Sequence, residues 1–240
     1  MLYSPAAMLD LSRIKAIGLD LDDTLWPIWP TITRAESQMV DWLASRAPAS
    51  AAVFADPVRR QSLRDEVVQN RPDIGHDMSA LRRELIRQAL LRNAEDAALA
   101  EPAFEVFFAH RMQVELYADA LPALVYLASR FPIIAVSNGN ADVARIGLGA
   151  HFRGDVSAHK MGFAKPDPRI FHAAAHAAGV APHEVLHVGD DPLLDVLGGL
   201  GAGMQTAWVN RDGQDWHHAQ QPHASVRDLQ QLCVLLGQAA

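Results

Sequence analysis

Residues 14–22, Ile-Lys-Ala-Ile-Gly-Leu-Asp-Leu-Asp, form an apolar run that stops abruptly on carboxylates. That is the pattern of a buried strand whose C-terminal end opens on a polar site. Further apolar runs follow at residues 133–136, within 131–138, then at 185–188 and 206–209, and the segments between them have helical texture. Strand alternating with helix predicts an α/β fold with a doubly wound, Rossmann-like parallel sheet.

The second strand arrives only after a long delay. Between about Pro30 and Leu116 there is helix after helix and no convincing strand. Thr33 and Glu36 read as a capping box before residues 35–43, Asp56-Pro57 as an N-cap with a first-turn proline, Asp77 as the cap of a run with Leu81, Leu85, Ala89 and Arg92, and Glu101-Pro102 as another start. Roughly 85 residues of helix are too many for an ordinary crossover. The reading is an inserted all-helical domain at 27–117 within a sheet domain made of 1–26 and 118–240, with hinges near Trp26-Pro27 and residues 117–120.

Composition excludes several classes. The 240 residues are 50% hydrophobic and 20% charged, a globular balance. Twenty-one Lys plus Arg against 28 Asp plus Glu leave a net charge of −7, which argues against a nucleic-acid or anionic-membrane partner. The single cysteine, Cys233, has no partner for an internal disulfide and suits a reducing cytoplasm. Residues 1–10 carry no basic residue ahead of an apolar core, and the apolar stretch at 121–136 is broken by Arg130 and two prolines, so neither a signal peptide nor a membrane span is expected.

Open parallel sheets bind ligands at the carboxyl ends of their strands. There stand Asp20-Leu21-Asp22-Asp23-Thr24, Ser137-Asn138-Gly139-Asn140, and Gly189-Asp190-Asp191 with Asp195 four residues on, while Lys165 directly precedes Pro166. Asp20 and Asp22, two apart, point the same way in an extended chain. Gathering Asp20, Asp22 and Asp190, with Asp191 or Asp195, at one edge demands cations, and all-oxygen ligands favour Mg2+. With Lys165, a serine hydroxyl and backbone N–H groups near Asn138, such a site is built to hold a phosphate. Asp20 then reads as the nucleophile that forms an aspartyl-phosphate and Asp22 as the general acid and base.

These residues together resemble the four motifs of the haloacid dehalogenase (HAD) superfamily: Asp20-Leu21-Asp22-Asp23-Thr24-Leu25, Ser137-Asn138, Lys165-Pro166-Asp167-Pro168, and Gly189-Asp190-Asp191 with Asp195, in that order. The resemblance spans about residues 14 to 210. It implies that Thr24, Ser137 and Asn138 position the phosphate and that Lys165 balances its charge. It also implies Mg2+ on Asp20, the Asp22 carbonyl and Asp190, with Asp191 or Asp195 in support, and a C1-type cap for the helical insertion. Residues 70–77, 137–141, 147–149, 187–191 and 203–205 further resemble bacterial HAD phosphatases of the riboflavin pathway, which dephosphorylate 5-amino-6-(5-phospho-D-ribitylamino)uracil and FMN. Leu194 departs from the Asn common there before the final Asp. The resemblance thus implies a phosphomonoester hydrolase acting on such a small metabolite, the alternative being a sugar phosphate or nucleotide.

Asp22 argues against two neighbouring functions: a dehalogenase needs no carboxylate there, and a phosphorylation switch should keep its aspartyl-phosphate. A silent flavin or nucleotide binder leaves the acid/base and metal set unexplained. His172 and His176, four apart, lack the glutamate of a zinc motif, and the glycines at 198–203 precede a strand and suit tight turns. Arg82, Arg83 and Arg87 read as a solvated face. Trp42 reads as packing, while Trp26 and Trp29 suit either packing or stacking on a planar ligand.

Overall fold

The computed structural model describes residues 8–238, so the reading of residues 1–7 lies outside the described part. Strand β1 is Ala16–Leu19, buried throughout. Five helices follow: α1 (Ile28–Ala44), α2 (Pro48–Ala55), α3 (Pro57–Asn70), α4 (Met78–Arg92) and α5 (Ala100–Arg111). After α6 (Ala120–Ala128) come β2 (Ile133–Ser137), β3 (Gly154–Ser157), α7 (Ala158–Met161) and α8 (Pro168–Ala178). The chain closes with β4 (Val185–Gly189), a π-helical turn at Pro192–Leu197, α9 (Gly198–Gly201), β5 (Gln205–Val209), β6 (Ala224–Val226) and α10 (Leu229–Leu235).

Among the described residues these strands make one parallel sheet in the order β3-β2-β1-β4-β5-β6. This is the doubly wound, Rossmann-like α/β sheet expected from the alternation of elements, with β1 between β2 and β4. The order reverses at β1, so the crevice between the carboxyl ends of β1 and β4 is the place where such sheets bind ligands. Helix α8 shows how sequence builds a flanking layer. Asp167 caps its start, accepting from the Arg169 N–H at 3.0 Å, and Pro168 occupies the first turn. Ile170, Phe171, Ala174, Ala175 and Ala178 recur at helical spacing and are buried in the sheet core with Ile134, Val136 and Val156. Gly179, at φ +76°, ends the helix in the left-handed region.

The chain divides into two compact units, one comprising the residues up to Trp26, Leu116–Asn138 and those from Val143 on, the other Pro27–Glu115 with Gly139–Asp142. The second unit has its own core, where Met39, Leu43, Phe54, Leu85, Ile86, Phe104 and Phe107 meet. Helix α1 corrects the capping-box expectation. It starts at Ile28, so Thr33 and Glu36 lie inside it, and Glu36 instead accepts from Arg60 and from Arg82, each at 2.6 Å. Arg82 therefore does not lie on a solvated face: its guanidinium also sits 4.2 Å from the Phe107 ring centroid. Among the described residues no helix is long and apolar enough to cross a membrane.

Close packing at the carboxyl end of β4 depends on Gly189, because a Cβ built there would lie 2.2 Å from Asp195 Cγ. Gly189→Ala must push strand and turn apart, so we expect a loss of about 1–3 kcal/mol or more in urea unfolding. An unchanged midpoint would show that the two separate without cost.

Candidate active site

The first strand ends one residue before its acids. The Asp20 N–H donates to the Val188 carbonyl at 2.9 Å, continuing the ladder for one step, and the chain then leaves the sheet. Asp23 takes a left-handed conformation (φ 60°), its N–H donates to the Trp26 carbonyl at 2.8 Å, and the Leu25 N–H donates to the Leu21 carbonyl at 2.8 Å. Residues 21–26 are thus a tight loop, anchored by buried Leu21, Leu25 and Trp26. Asp22 does not extend the strand in register with Asp20. It is half-buried and accepts from the Trp26 indole N–H at 2.8 Å.

Buried Thr24 uses its single hydroxyl proton between two carboxylates, 3.1 Å from Asp20 Oδ2 and 2.9 Å from Asp190 Oδ1. Lys165 arrives from the segment before α8. Its side chain is only 3% exposed, and Nζ lies 2.5 Å from Asp20 Oδ1 and 2.7 Å from Asp195 Oδ1. The Asn138 side chain clamps this lysine's backbone, accepting its N–H at 2.7 Å and donating to its carbonyl at 3.0 Å. Asn138 thereby positions the ammonium. Ser137, the buried last residue of β2, stands in the strand beside β1.

Asp195 projects from the π-helical turn. Its Oδ1 takes both Lys165 Nζ and, at 2.8 Å, His187 Nε2, while Oδ2 accepts the Asp191 N–H at 3.2 Å. A carboxylate has no proton to offer, so His187 carries its hydrogen on Nε2. The Asp191 carboxylate faces elsewhere: it caps the turn, accepting the N–H groups of Leu193 and Leu194 at 2.7 and 2.8 Å. The residues brought together are therefore Asp20, Asp190 and Asp195, with one carboxylate oxygen each within 4.8 Å of the others.

The charges do not balance by themselves. Burial would depress Lys165, yet Asp195 and Asp20 outweigh it and push its pKa up, so it stays an ammonium. Burial works against ionised Asp195 too, but Lys165 and His187 hold it at about 2. Asp20 is raised well above the carboxylate range by burial first, with the Asp195 and Asp190 charges adding to it against Lys165. Asp190 is pushed up to about 7 by burial and then by the Asp195 charge. One ammonium among three clustered carboxylates leaves negative charge that protons or a cation must offset. A buried all-oxygen donor set of this kind fits a hard divalent cation.

Three contributors had weak signals in sequence. His187 sits inside an otherwise apolar strand, 1% exposed, and meets Phe171 edge-on; its marks were a lone histidine in such a run and its place in the 187–191 segment. Trp26, fully buried, is an internal hydrogen-bond donor to Asp22. Arg211 follows β5, donates to the Thr24 carbonyl at 2.9 Å and pairs twice with Asp119 at 3.0 and 2.9 Å. Its neighbourhood includes a cavity of about 700 Å3, lined among others by Tyr117, Asp119, Arg227 and Cys233. None of the clustered carboxylates lines that cavity, so volume alone is a poor guide to the chemistry here.

Residues 14–203 match the family model for haloacid dehalogenase-like hydrolases. The 5-amino-6-(5-phospho-D-ribitylamino)uracil phosphatase YigB of Escherichia coli (strain K12) is 33% identical over 94% of this chain and 98% of its own. A phosphoserine phosphatase of Thermus thermophilus is 34% identical over 63% of each. A solved structure titled 2-haloacid dehalogenase, from Pseudomonas syringae pv. Tomato, superposes with a TM-score of 0.88 at 37% identity, over 93% of this chain and 98% of that one.

Asp190 links the site to pH. Its folded pKa lies above the usual carboxylate value, so without metal its contribution to stability is present at low pH and is lost as pH rises towards and through about 7. A cation binding there displaces that proton. Affinity for a divalent cation, probed with added Mg2+ in thermal melts at pH 5.5–8.5, should fall by at least about tenfold per unit below pH 7. Asp190→Asn should melt higher than the parent at pH 8 without metal and lose the Mg2+ response; a parent response independent of pH would contradict this assignment.

Proposed function

The chain belongs to the haloacid dehalogenase-like hydrolases and is a phosphatase of that family, and from that premise we propose that it hydrolyses 5-amino-6-(5-phospho-D-ribitylamino)uracil or FMN, Mg2+-dependently, through an aspartyl-phosphate on Asp20. The observation that carries the chemistry is Asp20 held against the Lys165 ammonium at 2.5 Å beside Asp190 and Asp195. The substrate class rests on the similarity to the E. coli ribitylaminouracil phosphatase over nearly the whole of both chains.

Asp20 attacks phosphorus, and the bond to the leaving alcohol breaks as Asp22 gives that oxygen a proton. Water then attacks the same phosphorus and yields its proton to Asp22. The bond to Asp20 breaks, so phosphate leaves and both carboxyl groups return to their starting states. Lys165 neutralises the nucleophile before attack and the phosphoryl oxygens during it. Thr24 and Ser137 orient the phosphoryl group, and Asn138 keeps Lys165 in place. Asp20, Asp190, Asp195 and the Asp22 carbonyl would hold a divalent cation, which would supply further positive charge to the phosphoryl oxygens. Asp191 supports this set by shaping the turn that carries Asp195. The helical unit, Pro27–Glu115 with Gly139–Asp142, acts as the cap that selects the substrate and moves between turnovers. The enzyme works in the cytoplasm.

The solved structure titled a 2-haloacid dehalogenase favours a second reading. In that reading Asp20 would displace halide from carbon, a reaction with no alcohol to protonate and no use for Asp22. Phosphate and chloride release, with Mg2+ and with EDTA, are to be followed across the two riboflavin-pathway compounds, p-nitrophenyl phosphate, sugar phosphates, nucleoside monophosphates and 2-chloropropionate. We expect Mg2+-dependent phosphate release with the riboflavin-pathway compounds preferred. Release from other phosphates would move the substrate, and metal-independent chloride release would select the second reading. Asp20→Asn should lower kcat by roughly a thousandfold or more, and undiminished phosphate release in that variant would exclude the covalent route.

A further inference from the structure

We propose that Trp26 is the positioning residue for Asp22, and that its indole N–H decides which carboxylate oxygen exchanges the proton with the leaving alcohol and with water. The inference rests on the reading of Asp22 as general acid and base. Trp26 is fully buried, and its one polar atom is 2.8 Å from Asp22 Oδ1. An indole nitrogen only donates and carries no charge, so it can orient a carboxylate without pairing it off as an ammonium would.

The loop makes this contact local and stiff. Asp22 and Trp26 bridge each other through the backbone, and the Asp23 N–H closes on the Trp26 carbonyl at 2.8 Å while Asp23 holds its left-handed conformation. Backbone and side chain therefore fix the same two residues against each other. With Oδ1 accepting the indole hydrogen, it takes the carbonyl role when Asp22 is protonated, and the acidic proton resides on Oδ2. During phosphorylation Oδ2–H gives its proton to the departing alcohol oxygen. During hydrolysis Oδ2 takes one from the attacking water, so the two half-reactions use one oxygen in one orientation. Without the indole donor Oδ1 loses that partner, and the carboxyl group is held less tightly in the orientation that presents Oδ2.

The test separates this role from packing. Trp26→Phe keeps a buried aromatic ring and removes the donor. With an alkyl phosphate such as FMN, whose alcohol needs protonation, kcat should fall about tenfold while KM stays within about twofold. With p-nitrophenyl phosphate, whose leaving group needs no acid, the first turnover should stay within about twofold of the parent. Hydrolysis of the aspartyl-phosphate should then lag and leave a p-nitrophenolate burst of about one per site. In an Asp22→Asn background the same substitution should add less than about twofold. Equal slowing of the first turnover on both substrates, or the same factor in the Asp22→Asn background, would overturn the proposal in favour of packing. If Trp26→Phe does not fold, replacing Trp26 alone by its benzothiophene analogue, with sulfur in place of N–H, puts the same question at unchanged volume. Asp22→Asn by itself distinguishes the two levels: parental rates there would remove the general acid/base reading and this inference with it. An impaired Asp22→Asn beside an unimpaired position-26 variant would remove this inference alone.

Discussion

The Lys165 ammonium, buried between Asp20 and Asp195, is the contact on which the rest of the sheet unit's polar end depends. Each neighbour has a physical task relative to it. Asn138 fixes its backbone, His187 steadies Asp195 from behind, and Gly189 leaves room for the Asp195 carboxylate against β4. A buried ion pair contributes little net stability, because both charges have left water. Removing one member is costly, since the other is left unpaired. The arrangement therefore makes this end specific in geometry more than it makes the fold strong.

Its incompleteness has equal weight. One ammonium faces three clustered carboxylates, and the raised pKa values of Asp20 and Asp190 express the shortfall. The attack proposed for Asp20 requires its ionised form, and an added cation and an ionised Asp20 favour each other. The fold tolerates the strain of this unbalanced charge because the acids come from strand ends and turns that are held by independent hydrogen bonds. Thr24 is one such tie, reaching both Asp20 and Asp190, and Arg211 holds the Thr24 carbonyl in turn.

The helical unit is organised on other terms. Its helices meet through an apolar core, and its charges are largely satisfied among themselves: Glu36 with Arg60 and Arg82, Glu84 with Arg87, Arg83 with Glu101. Three arginines are stacked or paired there in place of a free basic stripe, and Arg82 and Arg83 lie over Phe107 and Phe104. A face that looks solvated by charge count is thus partly interior, because the arginine stem and guanidinium both pack well on aromatic rings.

Much of this was legible in the residues. Strands buried on both faces are written as continuous apolar runs, so β1, β2, β4 and β5 could be read directly, and the acids and amide that close them mark the ligand-binding edge. The two edge strands could not: β3 is Gly-Asp-Val-Ser with one side open, and β6 is three residues long. Helix starts at Asp56 and Asp77 followed from capping chemistry, whereas the start of α1 did not, because Pro27 supplies no side-chain signal. The amino-acid order by itself determined the sheet class and the chemical kinds present at its edge, since burial period and strand-end polarity are local properties. Which carboxylates converge, that Asp191 caps a turn while Asp195 meets Lys165, that Asn138 clamps the lysine and that Trp26 holds Asp22, only the tertiary structure decided. Those outcomes depend on side chains from distant segments meeting at ångström distances, and no local pattern encodes that.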